Sequence, residues 1–422
     1  MAIPSRRMLT SPSSAAAGII PSKRVLTIPS SAAARPIPSR GGAAYSFLGG
    51  GQGNSIQVDS FGCFLGGGYG NSIQPYTYDS FLGGGDGNSI QWVVYDSFLG
   101  GGGGNSIQLN AYGSFLGGGE GNSIQMSAGS SFLGGGDGHS IQSNACNSFL
   151  GGGSQNTAGG TNATLGGGAQ NSASGAGAFI GGGGYDGSTF LSNTASGPSS
   201  LVAGGTQNMA SGSRSTVGGG HDNSATNWYA TVPGGAWNIA GGQGSFAAGQ
   251  AAQATNDGSF VWNCDYGHPL ATTAANQFIA RANGGFTFYT STTNGATLAS
   301  GSGSWTMLSD RNAKSDLEPV NARSVLDKVV ALPVTTWRYK SQDAAIRHIG
   351  PMAQDFKAAF GVGESDTGIT TVDAEGVALA AIQGLNQKLE ETRAENADLK
   401  EQLKQLKALV LQCTANQKGT QP

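Results

Sequence analysis

A unit close to Ser-Phe-Leu-Gly-Gly-Gly-x-Gly-Asn-Ser-Ile-Gln recurs with its phenylalanine at Phe47, Phe64, Phe81, Phe98, Phe115, Phe132 and Phe149, 17 residues apart each time. A fixed short period with apolar residues at fixed places is the signature of a solenoid or stack, in which each coil buries its face against the next. After Phe149 the period shortens to 15. The apolar residue before the glycines then falls at Leu150, Leu165 and Ile180, and at Val202, Val217, Val232 and Ala247. The 22-residue interval between Ile180 and Val202 marks an insertion. The apolar stretches are two or three residues long, so the strands must be short. The pattern predicts Phe, Leu and Ile facing inward and the glycines turning tight corners, where positive φ and close backbone approach are needed.

Composition agrees with a fibre rather than an ordinary globular chain. There are 73 glycines in 422 residues and only 11% charged residues, against about 25% in typical globular domains. Residues 1–40 hold six basic and no acidic residues; residues 41–308 hold 12 charges, ten of them acidic; residues 309–422 hold 29, nearly balanced. The net charge of −3 argues against nucleic acid or an acidic membrane as the main partner. Cys63, Cys146, Cys264 and Cys413 are too scattered for a disulfide framework or a metal site. No apolar run reaches the ~18 residues a membrane span needs.

Residues 3–40 repeat at the same period in a different sequence: IPSRRMLTSPSSAAA, IPSKRVLTIPSSAAA, IPSR. Back-translation links the two. Ser-Phe-Leu-Gly-Gly-Gly read one base later gives Pro-Ser-Ser-Ala-Ala, and Asn-Ser-Ile-Gln gives Ile-Pro-Ser-Arg. The phase agrees, because Ile37 sits 17 residues before Asn54. The expectation is that this segment is the same DNA unit read in the +1 frame, unstructured as protein, with the natural start of the chain in doubt.

The glycine loops do not carry nucleotide chemistry. A phosphate loop needs Gly-Lys-Ser/Thr leading into a helix, and no lysine lies between Lys23 and Lys314. In calcium-binding rolls an aspartate stands where Ser stands here, and the variable place (Gln52, Tyr69, Asp86, Gly103, Glu120, Asp137) is acidic in only some coils. His139, His221, His268 and His348 have no metal spacing. Neither cofactor nor metal is expected.

The 15-residue units, such as TLGGGAQNSASG, resemble the head repeats of trimeric autotransporter adhesins and similar repeats of phage fibres. That resemblance implies a β-roll built from three chains. Beyond residue 256, GSFVWNCDYGHP and NQFIARANGGFTFYT alternate aromatic and polar residues and read as a β neck.

Next comes WTMLSDRNAKSDLEPV. Ser309, Asp310, Arg311 and Lys314 resemble the cleavage motif of the intramolecular chaperone at the C-terminus of endosialidases and other phage tailspikes. That family also occurs in bacterial surface proteins and in a membrane-bound animal transcription factor. Further residues fit in order: a helix at 322–331, Leu332-Pro333, a strand at 335–339 with Trp337, and HIGPMAQDF at 348–356. The resemblance covers about 305–412. It implies that Ser309 attacks the carbonyl of Leu308, that the peptide is cut between Leu308 and Ser309, and that Lys314 is the general base. Asp310 is a candidate support that would orient the local backbone, a role the resemblance does not assign. Bottom-up, a serine needs a base to attack an amide, and serine–lysine pairs are a known arrangement. Lysine is ordinarily protonated, so the mechanism needs burial, as in a trimer interface, to lower its pKa.

Residues 376–413 carry heptads, with Ile382, Leu389, Asn396, Leu403 and Val410 at a, and Leu385, Thr392, Leu399, Leu406 and Cys413 at d. This predicts a coiled coil whose Asn396 would fix register. The heptads leave dimer and trimer open; the family resemblance implies a trimer. The expected organisation is a basic segment at 1–40, 17-residue β repeats at 41–153, adhesin-like β-roll repeats at 154–256, a β neck at 257–308, an α+β chaperone core at 309–375, the coiled coil at 376–413 and a tail at 414–422. The expected protein is a homotrimeric fibre of a virion tail or bacterial surface, matured by a single self-cleavage. Its partner would be a cell-surface or glycan receptor. A permanently clamped adhesin is one alternative. A polysaccharide-degrading tailspike is another, but such enzymes need paired carboxylates, and residues 41–308 contain one glutamate, Glu120.

Overall fold

The computed structural model describes residues 42–292 and 294–418, together with three strand fragments, Leu9–Thr10, Leu26–Ile28 and Arg35–Pro36. The rest of the segment expected to be unstructured, 1–40, lies outside the described residues. The chain divides into two units, Met1–Gly285 and Phe286–Pro422.

The first unit is a parallel β-solenoid. Each 17-residue coil contributes two strands, of two residues apart from Asn54–Ile56 in the first coil, as in Phe98–Leu99 and Ser106–Ile107. Each strand pairs in parallel, in register, with its equivalents one coil above and below: Phe98 with Phe81 and Phe115, Ser106 with Ser89 and Ser123. Two continuous sheets result. Leu99 and Ile107 are fully buried between them, as are their equivalents in the other coils of this block. Each such side chain is worth roughly 1.5–3 kcal/mol of transfer free energy.

The phenylalanines do not face inward. In a strand, successive side chains point to opposite faces. With Leu99 inside, Phe98 must lie outside, and Phe115, Phe132 and Phe149 are 36–42% exposed. From Phe47 to Phe149 the rings stack one above the next, centroids 4.7–5.1 Å apart and nearly parallel. The outward face of the other sheet is polar instead, carrying Ser72, Ser89, Ser106 and Ser123.

The glycines earn their place by close approach as well as by corner geometry. A Cβ on Gly83 would sit 2.1 Å from the Gly100 carbonyl oxygen and 3.4 Å from its own coil's Phe81 ring. Gly85 adopts φ +94° and would meet the Gly102 carbonyl. Beside them runs a buried asparagine column. The Asn88 backbone N–H donates to Asn71 Oδ1 at 2.9 Å, and Asn88 Nδ2 donates to the Gly84 and Gly102 carbonyls at 2.7 and 2.8 Å. The same pattern joins Asn105 and Asn122, and again Asn171, Asn193, Asn208, Asn223 and Asn238, while Asn156 keeps the two glycine bonds but donates its backbone N–H to His139 Nδ1.

The shift to 15-residue coils has a packing reason. The inward isoleucine becomes alanine at Ala158, Ala173, Ala195, Ala210, Ala225 and Ala240, all fully buried. A narrower core is closed by a shorter corner. The extra residues between Ile180 and Val202 form a small turn in which Asp186 accepts hydrogen bonds from the Ser188 and Thr189 backbone amides. The Phe-bearing sheet continues through Phe260–Asn263 and Phe278–Arg281, the stretch read from sequence as a neck.

The second unit opens with a three-stranded sheet, Gly285–Tyr289, Gly295–Ala299 and Trp305–Met307. A single 3-10 turn follows at Arg311–Ala313, then helix α1 (Ala322–Ala331), a two-stranded antiparallel pair (Thr335–Trp337 with His348–Gly350), helix α2 (Ala353–Phe360) and helix α3 (Thr371–Lys418). Asn321 caps α1 by accepting from Ser324 N. Ala322 and Leu326 of α1 pack on α3 where Gly384 lets the helices touch: a Cβ there would lie 2.3 Å from the Ala322 carbonyl.

Candidate functional site

The strand Trp305–Met307 carries the chain straight to Leu308 and Ser309. Asp310 then closes a tight turn: its Oδ1 accepts from Asn312 N at 3.0 Å and from Asn312 Nδ2 at 3.2 Å. That turn, Arg311–Ala313, returns Lys314 toward Ser309. Lys314 Nζ donates to Ser309 Oγ at 2.8 Å, across five positions of sequence. The predicted nucleophile, base and support therefore meet, through contacts that are entirely local.

Leu308 is 44% exposed, and Ser309 and Lys314 are exposed in the single chain. An open groove of about 470 Å³ lies over the Leu308 side of the pair, lined by Phe288, Met307, Leu308, Asp310, Lys314 and Glu364. Glu364 was not foreseen. It comes from the loop after α2, far along the chain, and no spacing in the sequence ties it to Lys314.

Phe356 of α2 is buried. Trp337, Tyr339 and His348 form one aromatic cluster, centroids 4.8–5.6 Å apart, with His348 Nε2 2.8 Å from Gln342 Oε1. The predicted heptad residues lie on one long helix and leave their apolar side chains largely open: Ile382, Leu385, Leu389, Leu399, Leu403, Leu406 and Val410 are all 46–62% exposed. Asn396 Nδ2 donates back to the Thr392 carbonyl at 2.8 Å.

A β-solenoid of regular repeats, followed by a small α+β region and a long terminal helix, defines the architectural class. Residues 309–362 match the family model described as chaperone of endosialidase, and that match begins at Ser309. The matched family is one of autoproteolytic peptidases that occurs in phage tail fibres. No curated protein matches the sequence. Among the described residues no helix is long and apolar enough to cross a membrane.

Proposed function

We propose that the chain is one strand of a homotrimeric, tail-fibre-like protein whose C-terminal region assists assembly and then cuts itself free between Leu308 and Ser309. The observation that carries this reading is the 2.8 Å contact of Lys314 Nζ with Ser309 Oγ at the first residue of the matched segment.

The chemistry balances within the chain. Ser309 Oγ attacks the Leu308 carbonyl carbon as Lys314 Nζ takes the hydroxyl proton. The tetrahedral centre collapses by breaking the Leu308–Ser309 C–N bond, and the proton passes to the departing Ser309 nitrogen. The Leu308 acyl group is now an ester on Ser309 Oγ. Water adds to that ester, freeing a carboxylate on Leu308 and the Ser309 hydroxyl. Asp310 contributes by holding the turn that keeps the two side chains together.

A lysine acts as a base once it is dehydrated. Lys314 is exposed in the single chain, so neighbouring copies are the source of that burial. The unpartnered apolar rows favour such copies. One is the α3 row. The other is the Phe47–Phe149 row of the solenoid, uncharged and paved with glycine. Rings repeating every 4.7–5.1 Å are matched in spacing by the same row of another copy. The fibre would belong to a virion tail or a bacterial surface.

The test is a denaturing gel with intact mass on freshly expressed protein beside Ser309→Ala and Lys314→Ala. Wild type should split into 1–308 and 309–422 while both variants stay whole. If all three stay whole yet assemble, the C-terminal unit is a permanent clamp and the cleavage assignment is wrong.

A further inference from the structure

We infer that the last coils of the solenoid form a binding groove for a neutral saccharide, on the side of the coil opposite the phenylalanine row. The groove measures about 540 Å³, within the ~300–1,000 Å³ of small-molecule sites. Its floor is the outward face of the Ser/Ile sheet, at Ser224, Ile239 and Gln253. Its wall is an aromatic pair, Trp237 and Tyr266, with ring centroids 4.4 Å apart. Asp222 stands at its edge.

The internal repeat supplies the control. Trp237 occupies a corner position with φ +57°, and its N–H donates to the His221 carbonyl at 3.0 Å. The same place in other coils holds Gln155, Gln170, Gln207 and Asp222, all with positive φ. Small polar residues serve that corner, whereas bulky ones are uncommon at positive φ. The fold therefore does not ask for tryptophan here. Ile239, 37% exposed, adds apolar area in the same coil at a place that is polar at Thr157, Ser172, Thr194 and Ser224 and apolar at Met209.

The opposing wall is built rather than loose. Asn263 Nδ2 donates to the carbonyls of Gln250, Asp265 and His268. Arg281 also donates to the His268 carbonyl, and His268 Nδ1 pairs with Asp265 Oδ2 at 2.9 Å. These bonds fix the Cys264–Pro269 loop so that Tyr266 is held over Trp237. His221 packs edge-on to the other side of Trp237, centroids 5.5 Å apart. Trp237 is 38% and Tyr266 57% exposed.

A pyranose has one apolar C–H face and a rim of hydroxyls. An exposed aromatic surface faces the first, as large flat rings bring much contact area at little entropic cost. Ser224, Gln253 and Asp222 offer donors and acceptors to the second. The Asp222 carboxylate accepts hydroxyl protons but repels an acidic sugar, which selects neutral over anionic saccharides. This inference rests on the tail-fibre-like protein proposed above and names the chemical class of the receptor expected for it.

The test uses the full chain and saturation-transfer NMR with three neutral probes, maltotriose, chitotriose and mannotriose, and one acidic probe, sialyllactose. At least one neutral probe should bind, and Trp237→Gln should weaken it by at least ~10-fold. That substitution installs the residue that other coils already carry, so the coil keeps its fold. Circular dichroism and the cleavage gel on the same variant check this. Binding of none of the neutral probes, equal binding by Trp237→Gln, or preference for sialyllactose would each overturn the groove. A chain that fails to cleave but binds a neutral probe through Trp237 sinks the self-cleavage reading and leaves the groove standing.

Discussion

At the scale of single residues, the asparagine column shows how a buried polar group becomes an asset. Each amide is enclosed, yet its oxygen accepts the next coil's N–H and its nitrogen serves two glycine carbonyls, so almost nothing is left unsatisfied. His139 breaks the column. Its backbone N–H still donates to Asn122 Oδ1 at 2.8 Å, and its Nδ1 accepts from Asn156 N at 3.0 Å. Its Nε2, however, makes no well-formed hydrogen bond, although the neighbouring Gly153 carbonyl favours the charged ring. Burial lowers the His139 pKa below its ordinary 6.5, against the opposing pull of Gly153, Asn156 and Asp137. The unfolded chain therefore takes up this proton at higher pH than the folded chain does. Stability from the neutral ring is complete above pH 6.5 and is lost as pH falls through the lower folded value. His139→Asn should restore both amide bonds, raise stability by ~1–2 kcal/mol and remove that loss. Thermal melting of wild type and variant at about pH 7.5 and about pH 5 reads it out. Equal shifts at the two pH values would mean that folding leaves the His139 pKa where it stands in the unfolded chain. The column was visible in the sequence as an Asn in nearly every coil, but only the structure says it points inward. Cys63 is similar: it stands in the serine place of its unit, and burial pushes its thiol up to about 11.

At the scale of elements, periodicity gave the coils but not their sidedness. Phe and Leu are adjacent and both apolar, so hydrophobicity alone puts both inside; the alternation of a strand forbids it. What decides between them is the glycine two places on, which leaves room for the ring to lie flat on the outer face. The same reasoning predicts asymmetry between the two sheets. Phe98→Asp should break the assembled fibre into single chains, because three carboxylates would enter one apolar seam at a cost of several kcal/mol (~3 or more). Ser106→Asp, on the polar face one strand later, should leave it intact. Size-exclusion chromatography with light scattering on the 1–308 product compares them. If both variants keep the wild-type mass, the phenylalanine row is not the seam. The Ser309–Lys314 contact, by contrast, was legible because it needs only one turn and a capping aspartate. The Trp237–Tyr266 pair was not, since its two rings come from separate coils and meet only because the Asn263 amide anchors the loop between them.

At the scale of the whole molecule, the order of events matters. Solenoid pairs join residues 15 or 17 apart and are quick to form, whereas contacts between copies must wait for encounter. A long helix with an unpartnered apolar row can hold copies together and raise their effective concentration while the seam is found. Removing that clamp afterwards would leave the fibre protected by its unfolding barrier rather than by equilibrium. For this scheme to work, the cut must not precede assembly. The exposure of Ser309 and Lys314 in the single chain is compatible with that need: the hydroxyl and amine are in contact, and under the proposed scheme neighbouring copies would supply the dehydration. Cleavage should accordingly depend on concentration although the bond broken is intramolecular. Diluting freshly refolded protein should lengthen the lag before 1–308 appears. The pair Leu399→Asp and Leu403→Asp in α3 should abolish cleavage with Ser309, Asp310 and Lys314 untouched. A cleavage rate independent of dilution, and unchanged by the α3 variant, would mean that the turn at Asp310 suffices by itself and that assembly plays no part in activating Lys314.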